Sequence, residues 1–395
     1  MEVSNYASSH RVIRASAKRF TPSPYIDMYA HDDVVFGIYC NRLYPLSVGD
    51  DPVEHYWKLR RQVMLYDVPE MPLEIRGPDA VTLLERVFTR RISSLGTWRA
   101  RYAIACTPQG GVIMDGVLIR LAEDHFWYVQ ANGEFEAWLL AYADGLEVSV
   151  SDPQSHVLQV QGPQALKVLH NATNGQVPDN FGYFHAGRFD FGGQSLLVSR
   201  TGWTGEMGFE VYSEGENFDP GALWDHLMLH GEPYGMQFSS AESMGIRRLE
   251  GGILDYGTDI DRSMNPYEAG IGAFVELDKP GFVGRNALMS VNQDCLLFGL
   301  TCAGTVPASG LEVLDGGKVV GRMTAGAWTP YLETGIGFVR FEHAGDWLGR
   351  QLTVRGQDRS RHSCEIVSLP FYDSEKRIPR GLAQPGEWMT PPSAE

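Results

Sequence analysis

Two stretches of the chain alternate apolar and polar positions and then switch to a helical period across the same hinge. Leu73-Glu74-Ile75-Arg76 alternates, Gly77-Pro78 interrupts, and a helical apolar pattern runs from Ala80 to Phe88. Leu158-Gln159-Val160-Gln161, Gly162-Pro163 and the run Ala165 to Leu169 repeat this 85 residues later. Alternation predicts a strand with one buried face, and apolar residues at spacings of three and four predict an amphipathic helix. Glycine permits the sharp exit from the strand. Proline suits the first helical turn, where its missing N–H would have no partner.

The match extends past each hinge. After the first come Tyr102–Cys106, a Gly110-Gly111 turn, Val117–Leu121, Phe126–Val129 and a helix around Glu134–Tyr142. After the second come Gly187–Phe191, a Gly192-Gly193 turn, Ser195–Ser199, Phe209–Tyr212 and a helix around Ala222–Leu229. Each half reads strand–helix–strand–strand–helix, the pattern of ferredoxin-like α+β layers. A repeat this long predicts two similar domains facing one another with a ligand between them. From about residue 295 short β-rich runs succeed one another, Leu297–Leu300, Lys318–Thr324, Ile336–Arg340, Leu352–Val354 and Glu365–Leu369, spaced for a small barrel or sandwich. The expected domains are 1–150, with an N-terminal extension, 151–290, and 291–380, before an extended tail 381–395.

Composition narrows the function classes. A chain of 395 residues is too long for one compact core. Its net charge of −16 argues against general binding to nucleic acid or anionic membranes, while leaving room for a local basic pocket. No apolar run approaches the ~20 residues that cross a bilayer. Met1 to Asn5 lacks the basic start and apolar stretch of a signal peptide, so the cytoplasm is the expected location. Five scattered cysteines without a CxxC pair predict neither a disulfide framework nor a zinc site, and the histidines show no paired metal spacing, so no metal is expected.

Candidate chemistry sits in three segments. Arg200-Thr-Gly-Trp-Thr-Gly-Glu-Met-Gly-Phe-Glu210 is a glycine-rich loop between two strands. It is either a solvated hairpin or a loop that brings backbone N–H groups to a ligand and aims Glu206 inward, where a carboxylate can accept paired N–H bonds from a 2-amino-4-oxo pterin. Gly110-Gly111-Val-Ile-Met-Asp115 places an acid at a turn exit, as a turn cap or as a proton acceptor. Arg247-Arg248 lies on a helix ending at Gly251-Gly252, within an intrahelical ion pair or facing an anionic tail. Dinucleotide, Walker and Gly-x-Ser-x-Gly signatures are absent.

These segments, with Tyr256-Gly-Thr-Asp-Ile-Asp261, Asn265-Pro-Tyr-Glu-Ala-Gly270, Lys279 to Arg285 and Gly321-Arg-Met-Thr-Ala-Gly326, resemble the folate-dependent aminomethyltransferase superfamily typified by the glycine cleavage T-protein. The likeness runs from about residue 35 to 372. It implies a three-domain clover leaf, two α+β layers and a C-terminal β-barrel, around a central tetrahydrofolate. Carried over by motif, Glu206 would hold the pterin, Tyr102 would line its pocket and Asp115 would lie near the reactive nitrogens, with Trp203 and Arg200 beside them. Within the superfamily, Arg120 to Trp127 and Arg248 to Gly257 resemble tetrahydrofolate-dependent demethylases, dimethylsulfoniopropionate demethylase among them. The T-protein's acid pair after the Gly-Gly turn is here Met114-Asp115, and Met244 falls where its helix carries an arginine. The resemblance therefore implies methyl transfer from a small donor to N5 of tetrahydrofolate, with Asp115 and Tyr102 as the catalytic groups.

A cationic donor would want aromatic faces, for which Trp203, Tyr183, Phe184 and Trp98 are the candidates; an O-methyl donor would need an acid, such as one from Tyr183-Phe184-His185. Alternatives within the superfamily are an aminomethyltransferase and a non-enzymatic folate binder, the latter lacking its cysteine at Lys279 to Gly284. The donor's identity and the oligomeric state are not written in the sequence.

Overall fold

The computed structural model describes residues 16–215, 218–356 and 360–383; the start of the expected N-terminal extension and most of the 381–395 tail lie outside them. A hairpin opens the fold, β1 (Val35–Tyr39) and β2 (Arg42–Ser47), followed by α1 (Pro52–Arg61) and β3 (Met64–Val68). The first repeat runs β4 (Met71–Arg76), α2 (Ala80–Val87), β5 (Arg99–Cys106), β6 (Val112–Ala122), β7 (His125–Gln130), α3 (Phe135–Tyr142) and β8 (Ser149–Ser151). The second runs β9 (Val157–Gln161), α4 (Ala165–Ala172), β10 (Ala186–Phe191), β11 (Gln194–Ser199), β12 (Gly208–Tyr212), α5 (Pro220–Gly231) and β13 (Gln237–Phe238).

The repeat is therefore topological. The first sheet is ordered β5-β6-β7-β4-β8 and the second β10-β11-β12-β9-β3-β13, the same path with one guest strand. Each unit holds three strands between its helices, one more than the strand–helix–strand–strand–helix reading, and a short closing strand after the second helix. The guest is β3, paired antiparallel with β9 from Met64↔Gln161 to Val68↔Val157. Residues 64–68 thus join the second sheet, although the sequence expectation counted them with the first domain. Tyr25, Tyr29, Val63 and Leu65 lie in the second core for the same reason.

Helices cover the outer faces of the two sheets. α2 buries Ala80, Leu83, Leu84 and Val87, the spacing that places four side chains on one stripe. Truncating one such leucine to alanine costs about 2–5 kcal/mol. The inner faces meet directly: Ile119, Leu121, Trp127 and Val129 pack against Val157, Leu197 and Tyr212.

Helix α6 (Ala241–Glu250) then leads through loops to β14 (Leu297–Cys302), β15 (Glu312–Asp315), β16 (Lys318–Thr329), β17 (Thr334–Phe341), β18 (Gln351–Arg355) and β19 (Arg361–Val367). These six close into a barrel, ordered β14-β17-β16-β15-β18-β19. The strand absent from the sequence reading, β15, is four residues long and sits just ahead of the Gly316-Gly317 turn. The barrel braces the rest: Thr329 Oγ1 donates to Glu250 at the end of α6, and Thr324 Oγ1 donates to Asp259 Oδ1 at 2.6 Å.

Candidate active site

The Gly110-Gly111 turn is built for close approach. Gly110 has φ +91°, in the left-handed region, and a Cβ on Gly111 would stand 2.0 Å from the Arg262 carbonyl oxygen. The turn launches β6 so that Asp115 lies opposite Ile104 and reaches Tyr102 across the sheet. The Tyr102 hydroxyl donates to Asp115 Oδ2 at 2.8 Å, and the Tyr102 ring meets Phe274 edge-on at 4.9 Å. Asp115 is only 7 % exposed, and its second oxygen, Oδ1, is buried without a hydrogen-bond partner among the described residues. Burial pushes its carboxyl up to about 6; the Tyr102 hydrogen bond pulls the other way, and Asp255 and Asp259 reinforce the rise. Its side-chain partner is the Tyr102 hydroxyl on the neighbouring strand.

Aromatic and acidic groups surround it. Burial first, and Asp115 in part, hold the Tyr39 and Tyr128 hydroxyls well above the usual range and raise that of Tyr256. Tyr256 also lines a cavity of about 570 Å³ with Met114, Phe135, Trp138 and Arg262. Met114 thus turns toward the α3 side of the sheet while Asp115 turns inward. Loop 254–259 brings Asp255 and Asp259 close. Arg248 Nη1 pairs with Asp259 Oδ2, while Asp255 accepts from Thr258 Oγ1 at 3.0 Å.

The glycine-rich loop does different work from that expected. Gly202 and Gly208 clear space for the Gln161 amide, which a Cβ at either position would approach to 2.3 and 2.1 Å. Thr204 Oγ1 donates to Gln161 Oε1 at 2.8 Å, so the loop wraps a side chain of β9. Glu206 points inward, as expected, but Oε1 already accepts from Arg60 Nε at 2.9 Å and Arg247 Nε at 2.7 Å. That engagement ties the loop to α1 and α6 through Oε1. Arg247 and Arg248 each pair with a carboxylate, Glu206 and Asp259 respectively.

Trp203 lies nearer the cleft. Its Nε1 donates to the Leu254 carbonyl at 3.4 Å and its ring carries the Arg248 guanidinium at 5.0 Å. Arg200 does not join it; Nη1 donates to Phe181 O within the second domain and Nη2 to Pro379 O of the C-terminal segment. Tyr183, Phe184 and Trp98 gather elsewhere again. Ala100 N–H donates to Phe184 O at 2.8 Å and Ala186 N–H to Trp98 O at 3.0 Å, stitching β5 to the strand entering β10. Tyr183 and Phe184 line a shallow cavity of about 410 Å³ with Arg99, Arg101 and His185. These three aromatics form a joint between the sheets instead of a wall beside Asp115. The residues that sequence reasoning missed are Tyr39 and Asp255. Asp255 lies inside the Arg248 to Gly257 motif; Tyr39 carries no local signal.

Two like sheets and a barrel around a tyrosine-lined carboxylate define the T-protein class of fold. Residues 35–279 match the GCVT N-terminal domain and residues 296–373 the glycine cleavage T-protein C-terminal barrel domain. The chain belongs to this family. It is 33 % identical to an aminomethyltransferase of Streptomyces avermitilis over 84 % of this chain and 92 % of that protein. It is 30 % identical to a trimethylamine-oxide aldolase of Ruegeria pomeroyi over 83 % of this chain, spanning 44 % of that longer protein. The crystal structure of the aminomethyltransferase T of Bartonella henselae superposes with a TM-score of 0.79 at 24 % identity, covering 90 % of this chain and 98 % of that one, which establishes the fold. Among the described residues no helix is long and apolar enough to cross a membrane.

Proposed function

We propose that the protein is a tetrahydrofolate-dependent demethylase that moves a methyl group from a small donor to N5 of tetrahydrofolate. The observation that carries this reading is Asp115 Oδ1, a buried acceptor without a partner inside a family fold. The donor set fits the cofactor: Asp115 can take an N–H of a reduced pterin, and Tyr102 and Trp203 offer flat faces beside it. When bound, tetrahydrofolate supplies a neutral amine nucleophile at N5.

The chain's own residues then orient and take a proton. Tyr102 holds Asp115 Oδ2, and among the described residues Oδ1 has no hydrogen-bond partner, so it is the oxygen left to accept the proton. A carboxyl pushed up to about 6 is ionised at neutral pH and basic enough to accept the proton released on alkylation. Holding donor and acceptor in line is worth on the order of 7–11 kcal/mol, so alignment supplies most of the rate. Met114 beside a single inward acid supports methyl transfer over the aminomethyl reaction, for which the resemblance implies an acid pair.

A second reading, aminomethyl transfer, draws on the likeness to the Streptomyces avermitilis enzyme. One experiment separates them. Purified protein and tetrahydrofolate are incubated with sulfonium, betaine and methoxyaromatic donors, and separately with an aminomethyl-lipoyl carrier, with folate products read by mass spectrometry. 5-Methyltetrahydrofolate from a methyl donor is the expected result. Methylenetetrahydrofolate from the lipoyl carrier alone overturns the demethylase reading.

A further inference from the structure

The barrel closes where its first strand meets its last. That seam between β14 and β19 is short, running from Gly299↔Val367 through Leu300↔Ile366 to Thr301↔Glu365. Carried one step further, the same antiparallel register sets Cys302 opposite Cys364. The strands stay side by side past that point. A Cβ on Gly304 would stand 3.0 Å from Nδ1 of His362, the residue that the register places opposite it. Cys302 Sγ donates to the carbonyl of Ser363, the chain neighbour of Cys364, at 3.3 Å.

Both side chains point into the barrel. Alternation puts Leu300 and Cys302 on one face of β14, and Cys364 and Ile366 on one face of β19; all four lie in the barrel core with Val339 and Phe341. Cys302 is 1 % exposed and Cys364 is 2 % exposed, and both are free thiols. Opposed residues of antiparallel strands have Cα atoms about 4.5–5.5 Å apart, inside the range of about 4.4–6.8 Å that a disulfide spans. The remaining cysteines are placed differently. Cys106 lies opposite Val112, Cys40 Sγ donates to Ala131 O at 3.3 Å, and Cys295 Sγ donates to Leu297 O at 3.1 Å.

We propose that Cys302 and Cys364 form a disulfide by exchange with a small disulfide, such as oxidised glutathione, while the barrel is still open, and that the bond then staples β14 to β19 across the closing seam. The steps balance. One cysteine thiolate attacks a sulfur of the glutathione disulfide, that S–S bond breaks, and one glutathione leaves as its thiolate. The second cysteine thiolate attacks the protein sulfur of the mixed disulfide, the new S–S bond forms, and the second glutathione leaves. The two cysteine protons end on the two glutathione thiols; the protein loses two electrons and the glutathione disulfide gains them. Folding then shields the pair. Burial first, with Cys302 adding to it, pushes the Cys364 thiol up to about 12, so the shut barrel presents almost no thiolate to an oxidant. Timing therefore sets the redox state of the seam. A link there encloses nearly the whole barrel, and cross-links around long loops constrain the unfolded chain most.

The test refolds the full chain from denaturant in reduced and oxidised glutathione, alkylates it, and maps its disulfides by mass spectrometry of the digest. The expected product is a Cys302–Cys364 linked peptide pair. Folded, reduced protein given the same glutathione mixture without denaturant should form the link at least about tenfold more slowly. The oxidised protein should unfold thermally about 5 °C above its reduced form, and Cys302→Ala should lose both the linked peptide and that difference. Absence of the link after refolding, or a link shared indiscriminately with Cys40, Cys106 and Cys295, overturns the pair. A link that forms as fast in the folded protein overturns the shielding, and a link with no rise in midpoint overturns the staple. Should Cys302→Ala fail to fold, the oxidised and reduced forms of the wild type carry the comparison, since they differ only in the bond.

Discussion

Asp115 and Glu206 look alike in sequence, each an acid set off by glycines in one half of an internal repeat, yet the fold treats them oppositely. Asp115 has one hydroxyl on Oδ2, nothing on Oδ1, and further carboxylates nearby. Glu206 is equally buried but has two guanidiniums on a single oxygen. A buried carboxylate without a cation has its basicity raised, whereas one between two arginines has its charge compensated. Burial alone does not set a carboxyl's basicity; the charge of its neighbours does.

The largest effect that would break this contrast belongs to Glu206. Glu206→Gln removes one of the two carboxylates shared by Arg60 and Arg247 and leaves Glu250 alone between them, and loss of one partner from a buried ion pair costs about 3–5 kcal/mol. Thermal unfolding should show a marked loss of stability. A variant as stable as wild type that no longer binds folate would return Glu206 to the pterin site and erase the distinction.

Asp115→Asn should act on rate first. Removing a proton acceptor of this kind costs about 10²-fold in turnover, with folate affinity changed far less. The wild-type rate should climb with pH up to about 6 and level off above it, following ionisation of Asp115, and the variant should lose that inflection. Stability should move the other way. The folded carboxyl titrates near 6, above its ordinary value of 3.8, so the native state is penalised at pH values above 6 and not below 3.8. Asn removes that penalty, and the variant should gain about 1–3 kcal/mol at pH 7 and nothing at pH 3. Equal denaturation midpoints at pH 7 would mean that Asp115 is not held against its charge.

Much of the fold was legible because periodicity and hinge chemistry are local. The Gly77-Pro78 and Gly162-Pro163 hinges do precede α2 and α4, and five of the six barrel strands were readable as apolar runs. The strand β3 was not, because its place between β9 and β13 depends on a pairing between residues about 95 apart. The site was legible in part for the same reason. Tyr102 and Asp115 sit on adjacent strands joined by a short turn, so their meeting follows from local register. Whether Glu206 faces a ligand or an arginine depends on Arg60, from a helix far earlier in the chain, and no spacing rule reaches that distance. Tyr39 acquires its neighbours only when the hairpin folds over the seam of the two sheets.

The smallest expected effect sharpens the contrast from the other side. Trp98 was a candidate wall for the donor, but it contributes backbone bonds to the joint, Trp98 N–H to Arg120 O and Ala186 N–H to Trp98 O, and its side chain is 37 % exposed. Backbone bonds survive truncation. Trp98→Ala should therefore leave folate affinity and turnover within about twofold of wild type, the range of a surface change away from a site. Its φ of 60° is left-handed, so glycine there relieves backbone strain that alanine keeps. Trp98→Gly should then be the more stable of the two by about 1 kcal/mol. A large loss of turnover in both variants, with stability intact, would place the donor at the joint between the sheets and not beside Asp115.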